Sequence, residues 1–350
     1  MERYNVIGIM SGTSLDGLDL CYATFTHSDR WEYTVHKTLT LPYPSGMKGR
    51  LKQTMTCSGL ELSLIDNELG NFIGNAVRHF LKEKRIPARQ IDFVASHGHT
   101  VFHQPEKQLT LQIGNGANIA AITKLSVVCD FRSVDLVLHG NGAPLVPIGD
   151  RLLFGEYDSC VNLGGIANIS FEKNKKRMAF DICPVNLVFN HLANRMGLEL
   201  DKGGEIARSG KLDKPLLAKL NKLSYYQQLP PKSLGYEWVA ARVFPKLEGN
   251  TADLLHTFTE HAAQQIAHHL KGKALFTGGG TYNTYFMERI AHYADQEPFI
   301  PAPSLIEFKE ALIFGFLGVL RWKHEKNVLK SVTGSSADHA GGCIYQPFGN

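Results

Sequence analysis

Apolar positions at the N-terminus fall on both faces of an extended segment. Tyr4, Val6, Gly8 and Met10 interleave with Asn5, Ile7 and Ile9 before the turn Gly8-Ile-Met-Ser-Gly-Thr-Ser-Leu-Asp-Gly17, and Leu18, Leu20, Tyr22 and Thr24 follow it. Period-two alternation on either side of a glycine turn predicts a β-hairpin. The pattern recurs later: Cys160-Val-Asn-Leu163 leads into Gly164-Gly165, and Ile166 to Phe171 leads out. Between the hairpins, Leu62, Ile65, Leu69, Phe72, Ile73, Ala76, Val77 and Phe80 recur at helical spacing and predict an amphipathic helix that ends before Pro87. Ile91–Ala95 and Leu125–Cys129 read as strands, and Gly114 to Ala121 as a turn opening a short helix. The second half continues with a strand at Arg177–Phe180, and the charged run Lys173–Arg177 before it reads as a solvated turn. Leu254, Leu255, Phe258, Ala262, Ile266 and Leu270 mark a core-facing helix. A buried strand, Ala274–Thr277, then runs into Gly278-Gly279-Gly280 and a further helix. The last helix is expected from Glu307, with Ala311, Ile313, Phe314, Phe316, Leu317 and Leu320 covering most of its circumference.

Glycine lets backbone N–H groups approach a ligand closely, and Ser11, Thr13 and Ser14 add hydroxyl donors to the first turn. Two such turns on separate halves can clamp a polyphosphate, so the pattern predicts a nucleotide enzyme built from two similar halves. No Gly-Lys-Ser/Thr run closes either turn, which excludes a Walker-type loop. Gly114-Asn-Gly116-Ala-Asn-Ile119 lacks the third glycine of a dinucleotide fingerprint. A strand, triple glycine and helix beside two hairpin turns leave the actin/hexokinase/Hsp70-like plan.

Composition narrows the class further. The 350 residues are 43% hydrophobic and 20% charged, a globular balance with room for two domains. A formal charge of +4 allows an anionic substrate without the concentrated basic stripe of a nucleic-acid binder. The six cysteines (21, 57, 129, 160, 183 and 343) form no C-x-x-C pair, which fits reduced thiols in a cytoplasmic compartment. The longest apolar stretch, Ala311–Trp322, falls short of the about 20 residues a bilayer requires. A soluble cytoplasmic protein is expected.

Three candidate constellations remain. His97, His99 and His103 invite a metal reading, but hydrogen bonding within a substrate-side loop is the stronger one. Asp181 follows a strand, where α/β sheets bind ligands; an N-cap for the next helix is the competing reading and stays open. Asp16, inside the first turn, is the candidate metal-shell carboxylate. Glu310 sits near the expected start of the last helix, where a favourable dipole interaction is its bland role. The loop Gly140-Asn-Gly-Ala-Pro-Leu-Val-Pro147 reads as a hinge between halves.

Met10-Ser-Gly-Thr-Ser-Leu-Asp-Gly17 resembles the signature of the anhydro-N-acetylmuramic acid kinase family. The resemblance extends through Ser96-His-Gly-His-Thr-Val-Phe-His103, Leu111-Gln-Ile-Gly114, Asp130-Phe-Arg132 and Gly142-Ala-Pro-Leu-Val-Pro147. It continues in Asn162-Leu-Gly-Gly-Ile-Ala-Asn168, Phe180-Asp181 and Thr277-Gly-Gly-Gly280. It implies two actin-like (ribonuclease H-like) α/β domains with a nucleotide cleft between them, and the cofactors ATP and Mg²⁺; the twin phosphate turns on separate halves predict that the halves close on substrate. The activity implied is opening of the 1,6-anhydro ring with water while O6 is phosphorylated, in peptidoglycan recycling. Domains are expected at 1–130 (with about 338–350) and 131–337. Asp181 is the expected catalytic base. Gly12, Thr13, Ser14, Asp16, Gly17, Gly164, Gly165, Gly278, Gly279 and Gly280 would bind nucleotide, with Asp16 at the metal, and His97, Arg132, Ala143, Pro144 and Glu310 would bind the sugar. The partner expected is a small amino sugar, neither nucleic acid nor membrane, with a homodimer as the candidate assembly. Two departures stand out. The family's Phe-Asp-Thr-Gly-Pro-Gly-Asn is here Phe180-Asp-Ile-Cys-Pro-Val-Asn186, and the Gln after Ser-His-Gly is His99. Rival readings are a kinase for an open amino sugar and a non-enzymatic ATP-driven binder of the same fold.

Overall fold

The computed structural model describes residues 1–12, 15, 17–230 and 232–347. Thr13, Ser14 and Asp16, assigned above to nucleotide and metal, lie outside the described residues. The chain divides into two units, Met1–Leu153 with the segment from Phe308 onward, and Phe154–Glu307.

The first unit opens with an antiparallel meander, β1 (Glu2–Ser11), β2 (Leu18–His27) and β3 (Trp31–Leu41). The helix Gly59–Glu83, started by a Ser58/Glu61 capping box, carries the chain across to β4 (Phe93–Ser96), which pairs in parallel with β1. A hairpin of β5 (His99–Gln104) and β6 (Leu109–Ile113) follows, then the short helix Gly116–Thr123 and β7 (Ser126–Cys129), parallel to β4.

The second unit repeats this wiring. An antiparallel meander, β8 (Ser159–Leu163), β9 (Ile166–Lys173) and β10 (Lys176–Pro184), is joined by β11 (Ala274–Thr277) in parallel with β8. The helix Thr251–His269 covers this sheet with Leu254, Leu255, Phe258, Ala262 and Ile266, all buried. A last strand, β12 (Cys343–Tyr345), returns to the first sheet and pairs antiparallel with β7. The sheet orders are therefore β12-β7-β4-β1-β2-β3 and β10-β9-β8-β11. In both, a three-strand meander takes a later parallel strand beside its first strand, which is the ribonuclease H-like arrangement of actin-like domains.

The helix Pro303–Trp322 starts four residues before the position expected from the sequence. From Phe308 it packs into the first unit, with Ala311, Leu312, Ile313, Phe314, Phe316 and Leu317 buried. Gly8 on β1 meets this helix backbone to backbone: a Cβ there would run into the Ala311 carbonyl and stand 2.8 Å from the Gly315 amide nitrogen. Its glycine is therefore a packing requirement of the core.

The boundaries differ from those expected. The segment 131–153 stays with the first unit, because its helix Val146–Leu153 buries Ile148, Gly149 and Leu153 there, Gly149 against Ile313 of the last helix. The first unit also regains the chain at Phe308 and not at about 338, since the helical residues after that point belong to its core. The loop 140–147 therefore lies inside one unit and is not a hinge between two; the chain passes between units at 153/154 and 307/308.

Candidate active site

In the first unit, β1 ends at Ser11 and β2 begins at Leu18, on either side of the predicted glycine turn. The Leu15 amide donates to the Gly12 carbonyl (3.2 Å), and Leu15 takes a positive φ of 57° with its side chain buried. Gly17 lies where β3 passes close by: a Cβ would stand 2.8 Å from the Leu41 carbonyl oxygen.

The expected sugar-side residues converge in this unit. Arg132, directly after β7, donates from Nε and Nη2 to Nε2 of His97 (3.0 and 2.9 Å) and from Nη1 to the Gly142 carbonyl (2.6 Å). The other His97 nitrogen, Nδ1, donates to the Gly98 carbonyl (2.8 Å). Burial and the neighbouring Arg132 charge hold the His97 ring well below its ordinary value, so it is the neutral acceptor this geometry needs. With both nitrogens engaged, His97 acts by aiming Arg132. Burial also brings the Arg132 guanidinium down to about 10, against the opposing pull of Glu310 and Asp135. Desolvation raises the Glu310 carboxyl, and Arg132 and Lys309 oppose that shift. Glu310 lies two turns inside the helix Pro303–Trp322, beyond reach of the terminal dipole, so the helix-start role expected for it does not apply. Ala143 and Pro144, joined by a cis peptide, follow the Gly142 carbonyl that Arg132 grips.

Asp135 belongs with this set, and sequence reasoning passed over it. Its fully buried carboxylate accepts the Gly142 N–H (2.6 Å) and the Thr333 hydroxyl (2.8 Å), fixing the loop that presents Gly142 to Arg132. The signal available was Asp-x₄-Gly-x-Gly at 135–142, a short acidic-to-glycine spacing that fits a side chain capturing loop amides.

His99 and His103 do not join His97. The buried His99 ring contacts the Ser11 hydroxyl (3.3 Å), which also accepts from the Tyr43 hydroxyl (2.6 Å), and His103 meets Thr110 (3.3 Å). Among the described residues no group of three His, Cys, Asp or Glu is placed to hold a metal.

In the second unit, the Gly164-Gly165 turn joins β8 to β9. Its carbonyls are already used: Gly165 accepts from Val185 and Leu187 N–H (2.9 and 3.1 Å), and Gly164 accepts from Asn186 N–H (3.2 Å). This ties the helix Asn186–Asn194 to the turn. The triple glycine after β11 closes against the same turn. Gly278, at φ 86°, has no room for a Cβ, which would stand 2.6 Å from Asn162 Oδ1, and one on Gly280 would stand 2.7 Å from Leu163 Cβ. Gly279 is exposed, and a Cβ there would meet nothing nearer than Asn186 Nδ2 at 4.0 Å.

Asp181 lies on β10 opposite Asn168, at a bulge between Asp181 and Cys183. The helix that follows is capped at Val185 without a side-chain bond, so Asp181 is not its N-cap. Instead Asp181 Oδ2 accepts the Leu234 N–H (2.8 Å), and the Asp181 carbonyl accepts from the Tyr225 hydroxyl (2.6 Å). The carboxylate is half-buried, and that desolvation raises its affinity for a proton above the ordinary 3.8, with the Leu234 bond pulling the other way. Three of the residues that depart from the family motif, Ile182, Cys183 and Val185, are completely buried in the sheet-and-helix core, so they alter packing behind the carboxylate and not the face it presents.

Twin meander units with glycine turns, each taking a later parallel strand beside its first, define an α/β protein of the actin-like class. The sequence profile of the Anhydro-N-acetylmuramic acid kinase family matches residues 4–347. The kinase of that name from Saccharophagus degradans is 32% identical over 368 residues, covering 97% of this chain and 98% of the relative. That from Variovorax paradoxus is 34% identical over 370 residues, covering 97% and 98%. The chain belongs to the anhydro-N-acetylmuramic acid kinase family. Among solved structures, a ROK family glucokinase from Streptomyces griseus aligns at TM-score 0.41 and 11% identity over 89% of this chain and 98% of its own.

Proposed function

We propose that this kinase hydrolyses the 1,6-anhydro bond of anhydro-N-acetylmuramic acid and phosphorylates O6 with ATP and Mg²⁺, giving N-acetylmuramic acid 6-phosphate for cell-wall recycling in the cytoplasm. The observation that carries this reading is Asp181: a half-buried carboxylate with one oxygen held by the Leu234 N–H and the other without a hydrogen-bond partner among the described residues. Such a group can take a proton from water, and its raised proton affinity brings it closer to the working pH of a general base. Water then attacks the anomeric carbon, the C1–O6 bond breaks, and O6 receives the phosphoryl group. Phosphoryl transfer asks the protein chiefly for positioning and charge neutralisation. Arg132 and Glu310 would orient the sugar, and His97 keeps Arg132 aimed.

Gly279, exposed and with room around it, is the member of the triple glycine most open to contact with ATP, while Gly278 and Gly280 also pack closely on Asn162 and Leu163. Mg²⁺ is usually bound through one or two carboxylates plus substrate phosphates, and would supply charge neutralisation on the phosphates. Asp16 is the candidate assigned to it from sequence. No helix among the described residues is long and apolar enough to cross a membrane.

Two experiments test the reading. In heavy-oxygen water the label should appear on C1 of the product and not in the phosphate ester bridge; a labelled ester would rule out this chemistry, and transfer only to an open amino sugar would favour that rival substrate. Gly278→Ala should cost about 1–3 kcal/mol of stability, as expected for a side chain forced into a positive-φ, close-packed position. Gly279→Ala should leave stability unchanged and weaken ATP binding by calorimetry. Unchanged ATP affinity would remove Gly279 from the nucleotide site.

A further inference from the structure

In the second unit, β10 is the outer strand of its sheet, so the N–H and C=O that Asp181 turns away from β9 need partners from outside the sheet. Both partners come from further along the chain. The Asp181 N–H donates to the Lys232 carbonyl (3.3 Å), and the Asp181 carbonyl accepts from the Tyr225 hydroxyl (2.6 Å). Two residues after Lys232, the Leu234 N–H donates to Asp181 Oδ2 (2.8 Å). The two backbone bonds fix where the Asp181 Cα lies, and the Leu234 bond fixes the rotation of its side chain. Together they decide where the other carboxylate oxygen points.

Lys232, Ser233 and Leu234 belong to no helix or strand, and Ser233 is exposed. Such a stretch has no ladder of its own to hold it, yet it carries two of these three bonds. Its anchor is the Lys232 side chain. The half-buried ammonium donates to the Tyr225 carbonyl (3.4 Å) and lies over two aromatic faces, 4.6 Å from the centre of the Tyr225 ring and 5.4 Å from that of Phe180. Tyr225 is itself buried and packs against Tyr226 and Trp238. Phe180 precedes Asp181 on β10 and turns into the core, so Lys232 reaches the strand on the face opposite the carboxylate. Burial pulls the Lys232 ammonium below its ordinary value, opposed by Cys183. Two ring faces and one carbonyl stand in for its lost water, and a desolvated cation is held more strongly by ring faces than an exposed one.

We propose that Lys232 is a positioning residue for the reaction: by gripping Tyr225 and Phe180 it seats its own carbonyl and the Leu234 N–H against Asp181, with one carboxylate oxygen left aimed at the water to be deprotonated. This rests on the reading of Asp181 as general base. The charge carries the effect, because an alkyl chain of the same reach would fill the space but would bond neither the Tyr225 carbonyl nor the ring faces. Lys232 acts through Asp181, so its effect should disappear when the carboxylate does.

The test is a double-mutant cycle on the full chain, with anhydro-N-acetylmuramic acid and ATP in single-turnover assays. Lys232→Met keeps most of the stem and removes the charge. Turnover should fall about tenfold, since slight misplacement of a reacting group costs that much or more, while sugar affinity by calorimetry stays within about twofold. Lys232→Arg keeps a charge that stacks on aromatic rings and should bring turnover back to within about threefold of the wild type. In an Asp181→Asn background, Lys232→Met should cost nothing further. A tenfold loss there as well would overturn the proposal, and a general loss of folded protein would show up in this way, lowering both backgrounds alike. Unchanged turnover in Lys232→Met, or no recovery with Arg, would overturn it too. The general-base reading is decided separately: it fails if Asp181→Asn turns over within a few-fold of the wild type. If Asp181→Asn is crippled and Lys232→Met is not, the positioning role alone is lost.

Discussion

Asp181→Asn should retain ATP binding while turnover falls by roughly 10²-fold or more, the usual scale for losing a general base. The substitution keeps the side chain's size, and Asn Oδ1 can still accept the Leu234 N–H that now holds the carboxylate. The bulge at Asp181/Cys183 and the buried Ile182, Cys183 and Val185 behind it would not be disturbed, so a thermal melt should be nearly unchanged. The pH profile gives a second readout. A base works only when deprotonated, and desolvation raises this carboxyl above 3.8, so the acid limb of kcat/KM should be displaced upward from where an exposed aspartate would put it. That limb should vanish in the residual activity of Asp181→Asn. Turnover within a few-fold of wild type, or an acid limb that persists, would mean that another group takes the proton.

Much of the architecture was legible because it is written in short-range pattern. The meander strands β1 and β2, the helix Gly59–Glu83 and the run from β11 into the triple glycine follow directly from period-two or helical spacing and glycine punctuation. The strand β3 was overlooked although Trp31, Tyr33, Val35, Leu39 and Leu41 alternate. Its outward residues are exposed and Lys37 interrupts the apolar face, so the signal is diluted at an edge. The unit boundary was misplaced because sequence punctuation at Gly140–Pro147 marks a loop, whereas domain membership is set by long-range packing such as Gly149 on Ile313. The same limit applies to the site. Glycines and Asp181 announce themselves by type and local context, but the engagement of both His97 nitrogens and the Leu234 N–H on Asp181 each depend on residues far apart in the chain.

The second large effect is expected from Asp135, whose carboxylate holds the Gly142 loop in the first unit. Asp135→Ala should destabilise the protein by about 3 kcal/mol, since it leaves the buried Gly142 N–H without its acceptor, at about 1–3 kcal/mol for such a loss, and throws the Thr333 hydroxyl back on its remaining contacts with Leu329 and Ser335. That is a large fraction of the about 5–15 kcal/mol that holds a typical domain folded, and urea unfolding would register it as a lower midpoint. Asp135→Asn separates positioning from bulk stability. Its amide oxygen can keep the Gly142 N–H while its N–H donates to the Thr333 hydroxyl, so the volume and both contacts are kept, but the bond that holds Gly142 loses its charge assistance and weakens. Because the Gly142 carbonyl receives Arg132 Nη1, loosening this loop should release the arginine from its aim at the sugar. The expected signature is a raised KM for the sugar with little change in the KM for ATP. Thr333→Val, which removes one bond to Asp135 but leaves Gly142 held, should lower stability by about 1 kcal/mol and spare the sugar KM. If Thr333→Val and Asp135→Asn raise the sugar KM equally, Asp135 merely supports the fold and the chain of contacts from its carboxylate through Gly142 to Arg132 carries no positioning role.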